Sequence, residues 1–410
     1  MVFPFDASTA ITLAVGGGIA AYKACDFIRE AQRHGVESVF PILTPDSQQF
    51  ITPLTLASLA MQPAITDAFA VDERGVPLHI ALAQKTQALV ILPTTANLLA
   101  KLANGFGDNI VTATALTFTN KPIILVPAMN TRMWDNPLVQ ANLEKLMLQP
   151  NISCVMPKAG LLACGETGQG HLAPYPLVLE ALYKATHPTP NRFAGINVLV
   201  TAGGTVEPLD IARVLTNKST GKMGLAFADE LHAMGATVTL VTAQQELPIR
   251  SYTVIQARTV TAMQTAVLTH APQQHWIIKA AAVSDFKLLD ANPVQKLKKA
   301  AEQTTYSLSF GLNPDILALL GQQKLPNQVL VGFAAETQTY DTQPLVDKLQ
   351  RKGASVLLVN NVATLGLGFG EESNQFKVVY PDGTVTETPI LPKALLARHT
   401  LQVLADRFLR

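Results

Sequence analysis

The chain is 410 residues long, more than a single hydrophobic core usually serves, so two domains of about 200 residues each are expected. Hydrophobic residues make up 48% and charged residues 15%, which excludes global disorder and fits α/β proteins whose parallel strands are covered on both faces. The net charge is +1, and residues 1–186 carry 11 basic and 13 acidic groups against 20 and 17 in the rest, so neither half (−2 and +3) has the electrostatic footprint of a nucleic-acid or membrane binder.

In chain order, Ile11–Val15 is a β-prone apolar run, Gly16-Gly17-Gly18 a turn, and Ile19 to about Gln32 a helix ended near Gly35. Strands are predicted at Ser38–Leu43, Ala88–Leu92, Pro122–Val126 and Ile152–Met156, with helical segments between them. That alternation implies right-handed βαβ units and a flavodoxin-like parallel sheet. Residues 187–195, with two prolines among polar residues, read as the linker between a domain over 1–186 and one over 196–410. The pattern then restarts: Ile196–Thr201 enters Gly203-Gly204, a helix runs from Met223 to about Met234, and Thr237–Val241 is a second strand. Later strands are predicted at Trp276–Ala281, Val329–Phe333 and Val356–Val359, and Gln375–Tyr380 with Val385–Pro389 flank Pro381-Asp382-Gly383 as a hairpin. The second domain is expected to be a doubly wound, Rossmann-like sheet with an antiparallel appendage.

Cys25, Cys154 and Cys164 are too few for a disulfide framework and match no zinc spacing, which points to a reducing compartment. No Lys or Arg precedes Lys23 and no apolar run reaches spanning length, so the expected location is cytoplasmic, with no membrane partner. Small molecules are the expected partners.

Gly16-Gly17-Gly18-Ile19-Ala20-Ala21 satisfies the G-x-G-x-x-A fingerprint, in which bare backbone lets a phosphate approach N–H groups. A nicotinamide site would also want an acidic residue near the end of the second strand, which instead runs Phe40-Pro41-Ile42-Leu43-Thr44. A mononucleotide phosphate suits the loop better. Together with Phe50–Pro53 (FITP), Pro127–Trp134 (PAMNTRMW) and Gly160–Gly170 (GLLACGETGQG), the segment Gly17–Lys23 (GGIAAYK) closely resembles the flavin-containing cysteine decarboxylase family over most of residues 10–175.

The resemblance implies an FMN cofactor at a subunit interface of a homo-oligomer, with Gly17, Gly18, Ile19, Ala20, Thr44, Pro93, Thr95, Ala96 and Met129 as cofactor-binding residues. It implies a reaction in which the substrate CH₂–SH is oxidised to a thioaldehyde, so that the carboxylate lost as CO₂ leaves its electrons in an enethiolate. His79 would open the oxidation by proton transfer, Asn130 would hold the substrate carboxylate, and Cys164 would protonate the enethiolate. Taken bare, a lone His among apolar residues is more often structural, an Asn after a strand is often a turn residue, and a Cys a small buried hydrophobe. Gly16 stands where relatives often carry Ser, Thr94 where they carry Ala, and His171 where Arg is usual.

In the second half, Thr201–Asp210 (TAGGTVEPLD), Arg213, Asn217 and Ser219–Gly224 (STGKMG) resemble the phosphopantothenate–cysteine ligase family. Ala281–Phe286, Lys296-Leu297-Lys298-Lys299, Asn313-Pro314-Asp315-Ile316 and Gly332–Thr337 follow in family order. The resemblance implies activation of 4′-phosphopantothenate by a nucleotide, CTP being usual and ATP open, with L-cysteine attacking the acyl-nucleotide. Lys296 would neutralise charge during transfer, and Arg213 with Asn217 would orient the intermediate. Ala281, Ala282, Asp285, Lys296, Asn313, Pro314, Asp315, Ile316, Phe333, Lys348 and Lys352 map onto nucleotide-binding positions. Mg²⁺ is implied without assigned ligands, and the assembly implied is decarboxylase trimers joined through ligase dimers. Bare, K-x-K-K is more often a solvated basic run, and Asn217 a helix cap. Val206 stands where many relatives carry Arg. Two rivals are a regulatory flavin-binding protein that lost catalysis, against which His79, Asn130 and Cys164 argue together, and a two-domain NAD-dependent oxidoreductase.

Overall fold

Ala10–Val15 forms β1, and all six of its residues are buried, as in a strand covered on both faces. It pairs in parallel with β2 (Ser38–Leu43) on one side and β3 (Ala88–Thr94) on the other, and β4 (Ile123–Pro127) and β5 (Ile152–Cys154) complete the order β2-β1-β3-β4-β5. This is the flavodoxin-like order, whose reversal between β1 and β3 opens a crevice at the strand carboxyl ends. The structure is a computed structural model and describes residues 3–6, 8–161, 167–289, 294–297, 305, 307–337, 342–363 and 367–409. The chain divides into two compact units between Pro190 and Asn191.

Around the first sheet lie α1 (Lys23–Arg33), α2 (Pro53–Ala60), α3 (Leu78–Lys85), α4 (Ala96–Ala103), α5 (Ile110–Thr117), α6 (Thr131–Trp134), α7 (Pro137–Met147) and α8 (Tyr175–Thr186). The helix expected from Ile19 opens as a 3₁₀ turn over Ile19–Tyr22, and α1 proper then buries Ala24, Phe27, Ile28 and Ala31 on one stripe. Thr95 and Asn109 start α4 and α5 by accepting backbone N–H groups on their side chains. The strand expected to run to Met156 stops at Cys154, and an unanticipated antiparallel hairpin follows, β6 (Lys158–Leu161) with β7 (Thr167–His171). His187 packs edge-on against Tyr183 with ring centroids 5.3 Å apart.

The second unit builds β8 (Asn197–Ala202), a small ribbon of β9 (Val206–Pro208) and β10 (Val214–Thr216), α9 (Lys222–Ala233), β11 (Thr237–Thr242), β12 (Thr253–Gln256), α10 (Val260–His270) and β13 (Trp276–Lys279). A second ribbon, β14 (Phe286–Leu288) with β15 (Phe310–Leu312), precedes α11 (Ile316–Gln323), β16 (Val329–Glu336), α12 (Thr342–Arg351) and β17 (Val356–Asn361). The chain ends with β18 (Ser373–Asn374), β19 (Lys377–Val379), β20 (Val385–Glu387), β21 (Leu391–Pro392) and α13 (Lys393–Phe408). The main sheet runs β12-β11-β8-β13-β16-β17-β19-β20, parallel as far as β17 and closed by the antiparallel hairpin expected at Pro381-Asp382-Gly383. Its first six strands follow the doubly wound Rossmann order, with the switch point between β8 and β13.

Alternation along β8 divides the core: Val198 and Val200 face a cluster with α9 and α13, and Leu199 faces a cluster with α10, α11 and α12. Phe193 is fully buried in the first of these, its ring 5.2 Å from that of Trp276. Among the described residues no helix is long and apolar enough to cross a membrane.

Candidate active sites

In the first unit, Gly17, Thr44 and Thr95 come together at the carboxyl ends of β1, β2 and β3, where with Asp46, Asn97 and Lys101 they line a cavity of about 110 Å³. The strand ends are laced by the Gly16 N–H, which donates to the Pro93 carbonyl at 3.2 Å, and the Thr44 N–H, which donates to Val15 at 3.1 Å. A Cβ at Gly16 would sit 2.4 Å from the Pro93 oxygen, and one at Gly17 would sit 2.4 Å from Asp46 Cβ. Serine therefore does not fit at Gly16 on this backbone. At Gly18 the nearest atom would be Thr95 Cγ2 at 3.7 Å, so the turn is open there. Ile19 is exposed and Ala20 half-buried beside it, Pro93 is buried beneath the turn, and Ala96 begins α4. Bare backbone and threonine hydroxyls at a switch point suit a phosphorylated group. The cavity is smaller than the roughly 300–1,000 Å³ of a ligand pocket, so in one chain it accounts for one end of such a group.

Asn130 opens α6: its Oδ1 accepts the Arg132 N–H at 2.8 Å, which leaves the amide nitrogen as the donating end. The β6–β7 hairpin is pressed onto this loop. Met129 N–H donates to the Gly170 carbonyl at 3.0 Å, a Cβ at Gly170 (φ +146°) would sit 2.1 Å from the Met129 oxygen, and one at Gly168 would sit 2.4 Å from Thr131 Oγ1. The two glycines of G-x-G are thus required by close approach to the Asn130 loop. His171, at the end of the same hairpin, lies 3.5 Å from Lys23 Nζ through its Nδ1. His79 sits in the first turn of α3, away from the cavity lining, and its carbonyl accepts the Thr117 hydroxyl at 3.0 Å. Its Nδ1 and the Thr131 hydroxyl are buried without a hydrogen-bond partner, an unusual condition for buried polar atoms. Cys164 lies outside the described residues. Burial pushes the Cys154 thiol up to about 12 and the Cys25 thiol upward as well, so both remain protonated.

The second unit holds a cavity of about 810 Å³ at the switch point, within the range of ligand pockets. Ten of the eleven expected nucleotide-binding residues line it: Ala281, Ala282, Asp285, Asn313, Pro314, Asp315, Ile316, Phe333, Lys348 and Lys352. Asn217 joins them, and it is no helix cap. Its amide donates to the Ala282 carbonyl at 2.9 Å, whereas Gly221, in the left-handed region at φ +71°, precedes α9. The glycine turn is zipped to the segment after β13: Ala282 N–H donates to Gly203 at 2.9 Å, and Ala281 N–H donates to Thr201 Oγ1 at 3.0 Å. A Cβ at Gly224 would lie 2.7 Å from the Thr201 oxygen, so α9 packs directly on β8.

Arg213 and Lys296 do not line this cavity. The Arg213 guanidinium donates to Asp210 through Nε at 2.9 Å and through Nη2 at 2.5 Å, and Nη2 also donates to the Leu297 carbonyl at 3.0 Å. Asp210 in turn accepts the Leu297 N–H at 3.1 Å, and these bonds, Arg213 first, hold its carboxyl far below the usual range. The exposed Lys296 is thereby tethered through its neighbour, while Lys298 and Lys299 lie outside the described residues. Sequence reasoning missed Asp210 as the centre of this clamp, and it missed the cavity lysines Lys222, Lys279 and Lys393. Lys348 pairs with Glu336 at 2.7 Å, Lys352 with Asp315, and Lys222 with Glu372. Among the described residues no group of three or more His, Cys, Asp or Glu could hold a metal ion.

Residues 6–187 match the family described as Flavoprotein, and residues 193–408 match the DNA/pantothenate metabolism flavoprotein C-terminal domain. The coenzyme A biosynthesis bifunctional protein CoaBC of Bacillus subtilis (strain 168) is 35% identical over 398 residues, 96% of this chain and 96% of its own. Its counterpart in Escherichia coli (strain K12) is 31% identical over 399 residues, 97% of each. A crystal structure of the C-terminal domain of a CoaBC protein aligns at 30% identity with 53% of this chain and 97% of its own, at a TM-score of 0.43. With both halves matched in order and relatives aligned almost end to end, the chain belongs to the family of coenzyme A biosynthesis bifunctional proteins.

Proposed function

We propose that the chain catalyses two consecutive reactions. The C-terminal unit joins 4′-phosphopantothenate to L-cysteine with CTP, and the N-terminal unit decarboxylates the product, 4′-phosphopantothenoylcysteine, to 4′-phosphopantetheine with FMN. The observation that carries this reading is the convergence of Asn217 and ten expected nucleotide residues on one cavity, in a chain aligned with its bifunctional relatives over both halves.

In the ligase reaction the phosphopantothenate carboxylate attacks the α-phosphorus of CTP, pyrophosphate leaves, and the cysteine amine displaces CMP from the acyl-cytidylate. Lys348 in the last turn of α12 and Lys352 just past its end, four residues apart, meet the phosphates. Lys296 neutralises charge at transfer, from a loop that the Asp210–Arg213 clamp holds. Asn217, fixed by its bond to Ala282, orients the acyl group. Mg²⁺ is placed on the triphosphate, since this ion is usually held by substrate phosphates and waters with one or two carboxylates.

In the decarboxylase, FMN when bound supplies the two-electron exchange that turns the substrate CH₂–SH into a thioaldehyde and later reduces the enethiolate. Gly17, Gly18, Thr44 and Thr95 would hold its phosphorylated end, and Ile19, Ala20, Pro93, Ala96 and Met129 would contribute the rest of its site. The Asn130 amide holds the substrate carboxylate, His79 takes the thiol proton, and Cys164 returns a proton to carbon. A homo-oligomer completes the site. The small cavity and the exposed Leu54, Met61, Phe69 and Leu138 of the first unit support that part of the proposal, which extends to decarboxylase trimers joined through ligase dimers in the cytoplasm.

The test is a product assay with 4′-phosphopantothenate, cysteine, Mg²⁺, FMN and either CTP or ATP, followed by mass. Pyrophosphate, the nucleoside monophosphate, CO₂ and 4′-phosphopantetheine are expected. Absence of both the cysteine adduct and 4′-phosphopantetheine with either nucleotide would sink the ligase assignment.

A further inference from the structure

We propose that Lys279 is an additional anion-binding residue of the C-terminal cavity, where its ammonium holds the phosphate chain of the nucleotide beside Asn217. The proposal deepens the ligase reading and rests on it. Lys279 is the last residue of β13, the strand at the switch point, and it follows Trp276, Ile277 and Ile278, all buried. A charged residue at the end of so apolar a strand needs a reason. Lys279 is among the residues that line the cavity, and its Nζ donates to the Ala281 carbonyl at 3.1 Å, one residue before the carbonyl that takes the Asn217 amide at 2.9 Å. Ammonium and amide therefore hang on consecutive carbonyls of one loop.

Of the five lysines among the described residues that line this cavity, three are ion-paired with carboxylates. Lys348, Lys352 and Lys222 have carboxylate partners, and Lys393 donates to the Gly368 carbonyl at 3.0 Å. Among the described residues no carboxylate oxygen lies within 4.0 Å of Lys279 Nζ, which leaves two N–H groups for an incoming anion. Burial lowers its pKa to about 8, with Asp285 opposing that shift and Lys352, just past the end of α12, adding to it. A polyphosphate entering beside it repays the desolvation and draws a proton onto the amine. Affinity for the triphosphate should then fall as pH rises through about 8, because the amine loses its charge there.

The test uses the full chain and its Lys279→Met and Lys279→Arg variants. Binding of CTP and of CMP is measured by calorimetry in buffers of differing ionisation enthalpy, and pyrophosphate release from CTP and 4′-phosphopantothenate is followed without cysteine. Expected at pH 7 is a loss of at least about tenfold in CTP affinity for Lys279→Met, with CMP binding kept within about twofold as evidence of an intact pocket. For the wild type, CTP affinity should drop about tenfold from pH 7 to pH 9, the change in protonated fraction of a group titrating near 8, with proton uptake on binding. Lys279→Met should show neither, and Lys279→Arg should restore affinity and flatten the pH profile. Unchanged CTP affinity in Lys279→Met, equal losses for CTP and CMP, or damage confined to the cysteine-dependent step would each overturn the assignment. Should Lys279→Met fail to fold, a flat wild-type pH profile without proton uptake does the same. A wild type that binds CTP but releases no pyrophosphate sinks the ligase reading instead.

Discussion

Replacing Asn130 by Asp separates what this side chain does for the fold from what it does for the chemistry. Its Oδ1 accepts the Arg132 N–H at 2.8 Å and starts α6, and Asp caps a helix as well as Asn does, so the loop beneath the β6–β7 hairpin should keep its shape. The other end of the side chain changes from an N–H₂ donor to a carboxylate oxygen. Its proposed partner is the substrate carboxylate, so a charge-assisted hydrogen bond worth about 1.5–3 kcal/mol is lost. In its place two like charges face each other. At roughly 4 Å and an effective dielectric of about 20 their repulsion is about 4 kcal/mol, which by itself slows the reaction roughly a thousandfold. The assay is CO₂ release from 4′-phosphopantothenoylcysteine by the FMN-loaded full chain, with pyrophosphate release from CTP measured on the same preparation. CO₂ release should fall at least a thousandfold while pyrophosphate release stays within about twofold of wild type. Decarboxylation within tenfold of wild type would refute the role given to Asn130.

Three further substitutions probe other parts of the molecule. Lys296→Gln should block pyrophosphate formation without altering the flavin spectrum; a normal pyrophosphate yield removes Lys296 from the mechanism. Gly170→Ala places a Cβ 2.1 Å from the Met129 oxygen at φ +146°, so the N-terminal unit should lose about 2–4 kcal/mol, seen as a melting point lower by roughly 5–15 °C, and decarboxylation should fail with it. An unshifted melting curve means that the hairpin does not press on the Asn130 loop. Arg250→Met leaves Asp229, which accepts Arg250 Nε at 2.7 Å and the Tyr252 hydroxyl at 2.7 Å, as a buried charge without its cation; denaturant unfolding of the C-terminal unit should show a loss of about 3–5 kcal/mol, and one under about 1 kcal/mol contradicts the reading of that pair.

Much of both sheets could be read from sequence because parallel strands covered on two faces leave unbroken apolar runs. Ser38–Leu43 appears with the bounds expected, and Asn197–Ala202 within a residue of them. What escaped notice has little local signal. β12 is largely exposed, and the ribbons β9–β10, β14–β15 and β6–β7 are three to five residues per strand, held by partners across the chain rather than by periodicity. The start of α1 was misjudged because Ile19–Tyr22 keeps helical composition while adopting a tighter turn. At the sites, motif spacing gathered the residues contributed by backbone turns: Gly17 with Thr44 and Thr95, and Asn217 with the Asn313–Ile316 turn. It could not show that Asn217 reaches Ala282, 65 residues away, or that Asp210 clamps Leu297. Lys279 did leave a trace, a single charge closing the apolar run Trp276–Ile278, which acquires meaning once β13 is seen to end in the cavity.

The most direct measurement supplies the FMN-loaded full chain with 4′-phosphopantothenoylcysteine alone, under exclusion of oxygen, and follows CO₂, 4′-phosphopantetheine and the visible spectrum together. Expected are many turnovers, one CO₂ for each 4′-phosphopantetheine, and a flavin that ends as oxidised as it began. A protein that takes up no flavin, or one that releases CO₂ no more than once per flavin and leaves it bleached, contradicts the redox-neutral decarboxylation proposed for the N-terminal unit.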